Sequence, residues 1–244
     1  MYGQDSVKPY GNDGGKSEQV ERMFDNIAPA YDFMNRRLSF SIDKRWRGRA
    51  VSQLAAHSPR NILDVATGTG DFAIMAAREF PGSRVTGIDI SEGMMEIGRA
   101  KAAEAGLGGD VTFQWADCLA LPFADGEFDA VISSFGIRNF ADLDRGLSEI
   151  CRVLKSGGVA SILELSHPTA FPAKQLFSAY SRLLIPLYGR IAAGDGKAYR
   201  YLSDSIAAFP KGGGVVEAML RAGFSQASFK SLTFGACNMY YAIK

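Results

Sequence analysis

Histidine and cysteine are scarce in this sequence, with two of the former and three of the latter among 244 residues. Neither His57 nor His167 joins a Cys/His/Asp cluster with metal-ligand spacing, so no resident metal is expected. No Ser-His-Asp arrangement is apparent either. His57 precedes Ser58-Pro59 at an expected helix end and reads as facing water; His167 precedes Pro168 and reads as a loop residue. Cys118, Cys151 and Cys237 are odd in number and widely spaced, which fits reduced thiols in a cytoplasmic protein. An excess of one charge is also missing. Twenty-seven basic against 26 acidic side chains leave +1, which argues against a nucleic-acid partner held by phosphate contacts. No apolar run approaches the ~20 residues of a membrane span. The nearest, 183–193, is broken by Pro186 and Arg190. No charged-then-apolar leader opens the chain.

What is present is ordinary globular material, 47% hydrophobic and 22% charged, ample for one large α/β domain. Residues 1–16 are polar and hold Gly3, Gly11, Gly14 and Gly15, the composition of a mobile tail. Val20, Met23, Phe24 and Ile27 then recur at helical spacing, and Pro29 marks the expected end of that helix. A second helix, 43–56, presents Trp46, Ala50 and Leu54 on one side. Beyond Pro59, apolar runs at 62–65, 85–90, 111–115, 130–135 and 159–165 alternate with helical segments at 72–79, 93–105 and 143–154. This rhythm predicts a Rossmann-like α/β fold, a mostly parallel sheet with helices on both faces. A helix over 171–191, a turn at 193–197, a short helix at 204–209 and another at 215–221, closed by Gly223, come next. Strands at 227–232 and 238–243 complete seven, closing as an antiparallel hairpin at the sheet edge. Dinucleotide-binding domains do not usually finish that way.

The chemical signal opens at Asp64-Val-Ala-Thr-Gly-Thr-Gly70-Asp71, between an expected strand and helix. Gly68 and Gly70 permit a tight turn and a close approach of ligand to backbone. Asp89, nineteen residues after Gly70, ends the second strand, where a carboxylate can accept both hydroxyls of a ribose. Asp117 follows the third strand and can accept from an adenine amine. Each feature alone has a plain structural reading: a glycine-rich crossover, a helix cap at Asp71, a turn at Asp117. Together, at successive strand ends, they describe a nucleoside site. A carboxylate at Asp71 would repel a pyrophosphate, whereas the cationic S-adenosylmethionine tolerates Asp64 and Asp71. Adenosylmethionine is therefore preferred to NAD.

Several segments resemble class I adenosylmethionine-dependent methyltransferases, and among them the ubiquinone/menaquinone biosynthesis C-methyltransferase family. They are Met23-Phe-Asp-Asn-Ile-Ala-Pro-Ala-Tyr-Asp32, Ser39-Phe-Ser-Ile-Asp-Lys-Arg-Trp46, Asp64 to Asp71, Leu121-Pro-Phe123, Phe135-Gly-Ile-Arg-Asn139, Arg152-Val-Leu-Lys155 and Ala193-Gly-Asp195 through Tyr199-x-Tyr201 to Phe209-Pro210. They cover most of the chain after residue 16. The resemblance implies donor contacts at Thr69, Asp89, Asp117, Cys118 and Ser134, beside Asp64, Gly68 and Gly70. It implies one methyltransferase domain, 17–244, with a helical cap at 17–56 and a substrate-side helical insertion at 171–214. The implied acceptor is a prenylated quinol, demethylmenaquinol giving menaquinol, with no nucleic acid and no metal. The ending Asn238-Met-Tyr-Tyr-Ala-Ile-Lys244 departs from the His-containing tail of the ubiquinone branch.

Carbon methylation needs an electron-rich ring, hence the quinol rather than the quinone. Arg138 is a fixed cation for the phenolate and Asn139 a partner for the second ring oxygen, unless Arg138 is a surface residue paired with Asp142. For the proton, Tyr31, Asp43, Tyr199 and an Arg138-activated water all stay open. Phe177, Tyr180, Leu184, Leu187 and Tyr188 with Arg182 and Arg190 read either as a core stripe or as a greasy lid. A lid would touch the inner membrane face transiently. Benzoquinol methylation, another small acceptor, a non-catalytic subunit of this fold and a homodimer remain alternatives.

Overall fold

The computed structural model describes residues 2–11, 14–168, 171–172, 174–175 and 196–244. Most of the helix expected at 171–191, including its lid residues, lies outside them. Helices α1 (Lys16–Leu38) and α2 (Ile42–Ser52) precede strand β1 (Asn61–Val65). Helix α3 (Asp71–Glu79), β2 (Arg84–Asp89), α4 (Glu92–Glu104), β3 (Val111–Trp115) and β4 (Phe128–Ser134) follow in alternation. Then come α5 (Leu143–Val153), β5 (Leu154–Leu165), α6 (Gly196–Ala208), α7 (Gly213–Arg221), β6 (Gln226–Leu232) and β7 (Cys237–Ile243). The seven strands lie in the order β3-β2-β1-β4-β5-β7-β6. The first five are parallel, and β7 runs antiparallel to both its neighbours. The expected fold class, an edge hairpin included, is the one observed.

Parallel strands covered on both faces must be apolar on both, and β1 and β4 are buried almost throughout. One face carries Leu143, Leu147 and Ile150 of α5 with Val215 and Met219 of α7. The other carries Trp46 and Ala50 of α2 with Phe72, Ala73 and Ala76 of α3. The sheet order changes direction between β1 and β4, so the C-terminal ends of these strands open a crevice.

Two expectations fail at the N-terminus. Helix α1 does not stop at Pro29 but runs through it to Leu38. Proline removes one helical hydrogen bond, yet tertiary bonds hold the helix on both sides of it. Before Pro29, Asp25 accepts the Ser91 hydroxyl at 2.6 Å and the Gly93 amide at 3.1 Å. After it, Asp32 accepts the Thr69 hydroxyl at 2.7 Å and the Lys101 ammonium at 3.0 Å. Nor do the first residues trail into solvent. Tyr2 packs on the core and donates to Asp144 at 2.9 Å, and Gln4 is fully buried. The buried Lys16 ammonium donates to the carbonyls of Gln4 at 2.6 Å, Arg138 at 3.3 Å and Phe140 at 3.0 Å. Loss of hydration pushes the Lys16 pKa down to about 8.

Candidate active site

The crevice is a cleft of about 680 Å³ at the ends of β1 to β4, partly covered by Val20, Phe24 and Tyr31 of α1. Gly68, Asp89, Asp117, Cys118 and Ser134 line it, as does Asn139. Gly68 sits at φ +54°, and a Cβ there would meet no atom within 4 Å. Its amide donates to Asp89 Oδ2 at 2.8 Å, while Asp89 Oδ1 accepts the Ser91 amide at 3.0 Å. Burial nevertheless outweighs these bonds and raises the Asp89 pKa above the usual carboxylate value. Asp117 Oδ1 accepts the Leu119 amide at 2.9 Å. Burial, then the neighbouring Asp117 carboxylate, raises the Cys118 thiol pKa well above its ordinary value.

Three expected donor residues do not line the cleft. Asp64 is buried beneath the loop, accepting the Thr67 hydroxyl at 2.7 Å, and desolvation pushes its pKa up to about 7. Thr69 turns its hydroxyl to Asp32 and also accepts from Lys101 at 3.2 Å. Gly70 faces Phe113, whose ring would lie 2.6 Å from an added Cβ. Asp71 does not face the cleft either. It is ion-paired with Lys101, which overcomes burial and holds its carboxyl below the ordinary value. The charge argument against a pyrophosphate therefore rests on other residues. Asp89 and Asp117 line the cleft, and among the described residues no Lys or Arg does.

A second cavity of about 1170 Å³ lies between α1, α2 and α6. Met23, Ile27, Met34, Trp46, Leu202 and Ile206 make most of its wall apolar. Its polar groups are few: Arg138, Arg47, Asp43, Tyr31 and Tyr201 among them. The two cavities share Phe24, Tyr31 and Phe135. Phe135 holds φ +61°, a strained conformation for a bulky residue, with the Arg47 guanidinium 5.2 Å from its ring.

Arg138 is not the surface residue that pairing with Asp142 would make it. It is 5% exposed and donates through Nη1 to Glu164 Oε1 at 2.8 Å and to the Phe135 carbonyl. Its own amide donates to Glu164 Oε2 at 3.0 Å. Burial works to lower its pKa, but Glu164 prevails and raises it above the ordinary guanidinium value. Its buried Nε has no hydrogen-bond partner among the described residues. Asp142 instead caps α5, accepting the Arg145 amide at 3.0 Å. Asn139 accepts the Tyr201 hydroxyl at 3.1 Å. Tyr199 lies on α6, but its side chain is outside the described set; Tyr201 is the tyrosine seen at the cavity. Arg47 donates to Asp43 at 2.5 Å and to Ser134 at 3.2 Å, joining the two cavities by a second cation. Burial raises the phenol of Tyr31 above its usual value, so at neutral pH it is a hydrogen-bond donor rather than a base.

Sequence reasoning missed Arg47, Glu164 and Tyr201. The i,i+4 spacing of Asp43 and Arg47 was a readable signal. Glu164, near the end of β5, pairs with Arg138 in the turn that follows β4, and left none.

The strand order, the antiparallel β7 and a glycine loop beside a strand-end acid define a Rossmann-like methyltransferase. A SAM-dependent methyltransferase from Thermotoga maritima has the same fold, with TM-score 0.62 at 19% identity, covering 91% of this chain and 99% of that one. One from Aquifex aeolicus aligns with TM-score 0.55 at 17% identity, over 75% and 81% of the two chains. The chain belongs to the ubiE/COQ5 methyltransferase family, whose sequence profile matches residues 13–244. It is 53% identical to a demethylmenaquinone methyltransferase of Bacteroides fragilis over 243 residues, 100% of this chain and 99% of that protein. It is 44% identical to a ubiquinone/menaquinone biosynthesis C-methyltransferase of Geobacter sulfurreducens over 226 residues, 92% and 88% of the two. No helix among the described residues is long and apolar enough to cross a membrane.

Proposed function

We propose that this protein transfers a methyl group from S-adenosylmethionine to a ring carbon of reduced, prenylated demethylmenaquinone. The observation that carries the reading is the meeting of two unlike cavities at Phe24, Tyr31 and Phe135. One is lined by carboxylates with no cation among its described residues, and suits a cationic nucleoside. The other is large and apolar, with arginines, and suits a greasy ring that bears an oxyanion. When bound, adenosylmethionine supplies an electrophilic methyl group. Asp89 and Asp117 hold the donor, and the open side of Gly68 admits it. Arg138, kept cationic by Glu164, favours the phenolate form of the acceptor and thereby raises electron density at the neighbouring ring carbon. Phe24 and Phe135 exclude water where the cavities meet. The protonated Tyr31 phenol is available as a donor there, and Asn139 and Tyr201 form a polar edge. Holding the two reactants in line supplies much of the rate.

The test is methylation of a short-chain demethylmenaquinol by the purified protein under reducing conditions, read by mass spectrometry. A product one methyl heavier, and a quinone one methyl lighter in cells lacking the protein, are expected. Donor binding without methylation of any quinol would overturn the acceptor assignment. Asp89→Ala is expected to weaken adenosylmethionine binding about 10- to 150-fold, since each hydrogen bond to a charged group contributes roughly 1.5–3 kcal/mol. Calorimetric titration with unchanged affinity would remove Asp89 from the donor site.

A further inference from the structure

Exposed aromatic rings gather where α1 hands over to α2. Phe40, in the turn between them, is 74% exposed, and Phe33 on α1 is 55% exposed with Arg37 5.0 Å from its ring. The turn between β6 and β7 adds Phe234, 86% exposed. Trp46 fastens this turn to α2 by donating to Thr233 at 2.9 Å. Both turns border the apolar cavity, because Ser39 and Ala236 line it. Phe40 and Phe234 hold φ of +50° and +56°, so neither ring is presented by relaxed backbone.

The charge here is one-sided. Arg36, Arg37, Lys44 and Arg45 are all exposed, while the acid in this stretch, Asp43, is buried against Arg47. Along residues 33–45 four cations are exposed and the acid is buried, which stands out in a chain of net charge +1; of the four, Arg36 also lies within electrostatic reach of Asp71. Lys44 and Arg45 sit in the first turn of α2, where the helix dipole disfavours positive charge. Helix stability does not account for them, whereas an anionic partner does.

We infer that this tip docks on an anionic lipid bilayer, with Phe40 and Phe234 entering the headgroup region and the four cations meeting acidic headgroups. Docking there would point the mouth of the apolar cavity at the acyl chains, so that a prenylated acceptor enters without crossing water; this last step rests on the proposed acceptor. Each basic residue near an anionic surface contributes ~1 kcal/mol, about fivefold in partition.

The experiment is co-sedimentation of the full chain, without substrate, on vesicles of phosphatidylcholine alone or mixed with phosphatidylglycerol. Binding to the anionic vesicles that falls with salt is expected. The charge reversal R36E/R37E should lower it at least about 25-fold. F40S/F234S should lower it about tenfold or more, and R36E/R37E placed in a chain carrying a Phe40→Trp probe should abolish that probe's vesicle-induced blue shift. Both variants should methylate a tail-less soluble quinol as the unaltered chain does. No binding to anionic vesicles, as for a site that takes an acidic protein instead, overturns the proposal. So does unchanged binding of F40S/F234S. Vesicle binding with no quinol methylation would leave the docking surface standing and remove the acceptor reading.

Discussion

Arg138→Lys is expected to lower methyl-transfer turnover about 100-fold or more and to leave adenosylmethionine affinity nearly unchanged. Arg138 lines the apolar cavity and is absent from the lining of the donor cleft, so the two readouts should separate. One preorganised donor to a developing oxyanion contributes roughly 2.7–4 kcal/mol to the rate. Lysine keeps the charge but loses the planar fork. A single ammonium cannot take over the contacts to Glu164 and the Phe135 carbonyl and still reach an acceptor oxygen. Arg138→Ala is less informative, because leaving Glu164 buried without its cation costs about 3–5 kcal/mol of stability. Single-turnover rates, calorimetric affinity and thermal unfolding of the lysine variant make the measurement. Near-normal turnover would reduce Arg138 to a structural partner of Glu164.

Gly70→Val should damage the fold more than it damages ligand approach. At φ +75° a residue with a Cβ costs about 1–2 kcal/mol, and forcing that atom to 2.6 Å from Phe113 costs about 1–3 kcal/mol more. The sum is a large share of the ~5–15 kcal/mol that typically separates folded from unfolded chains. Gly98 on α4 faces the same ring, so Phe113 cannot give way toward α4. Gly68→Ala is the contrast: its methyl meets no protein atom and should affect donor affinity more than unfolding temperature. Gly70→Val with an unchanged unfolding temperature would remove Phe113 as the reason for that glycine.

The strand core was legible because strands covered on both faces must be apolar runs, and β1 to β4 fall within two residues of those runs. The first residues of β5 were not. Leu154 to Gly158 holds Lys155, Ser156 and two glycines, and its strand character comes from pairing with Phe128 rather than from its composition. The continuation of α1 past Pro29 was equally hidden, since Asp25 and Asp32 make their bonds to residues far along the chain. At the site, positions at strand ends were readable from topology, and Asp89, Asp117, Cys118 and Ser134 do line one cleft. Which residues of the glycine loop face that cleft was not readable. Local spacing treats Gly68 and Gly70 alike, and only Phe113, from another strand, separates them. The same limit made Asp142 the natural partner of Arg138, when the partner is Glu164.

A single helix, α1, supplies Phe24 and Tyr31 to the walls of both cavities. The two ligand equilibria are therefore linked through one element. Whatever a bound donor does to the freedom of α1, the acceptor encounters as a change in its own affinity, and reciprocity returns the same factor to the donor. If the first occupant fixes the helix, the second binds to a wall whose ordering entropy has already been lost. Cooperativity between the two substrates thus requires no contact between them.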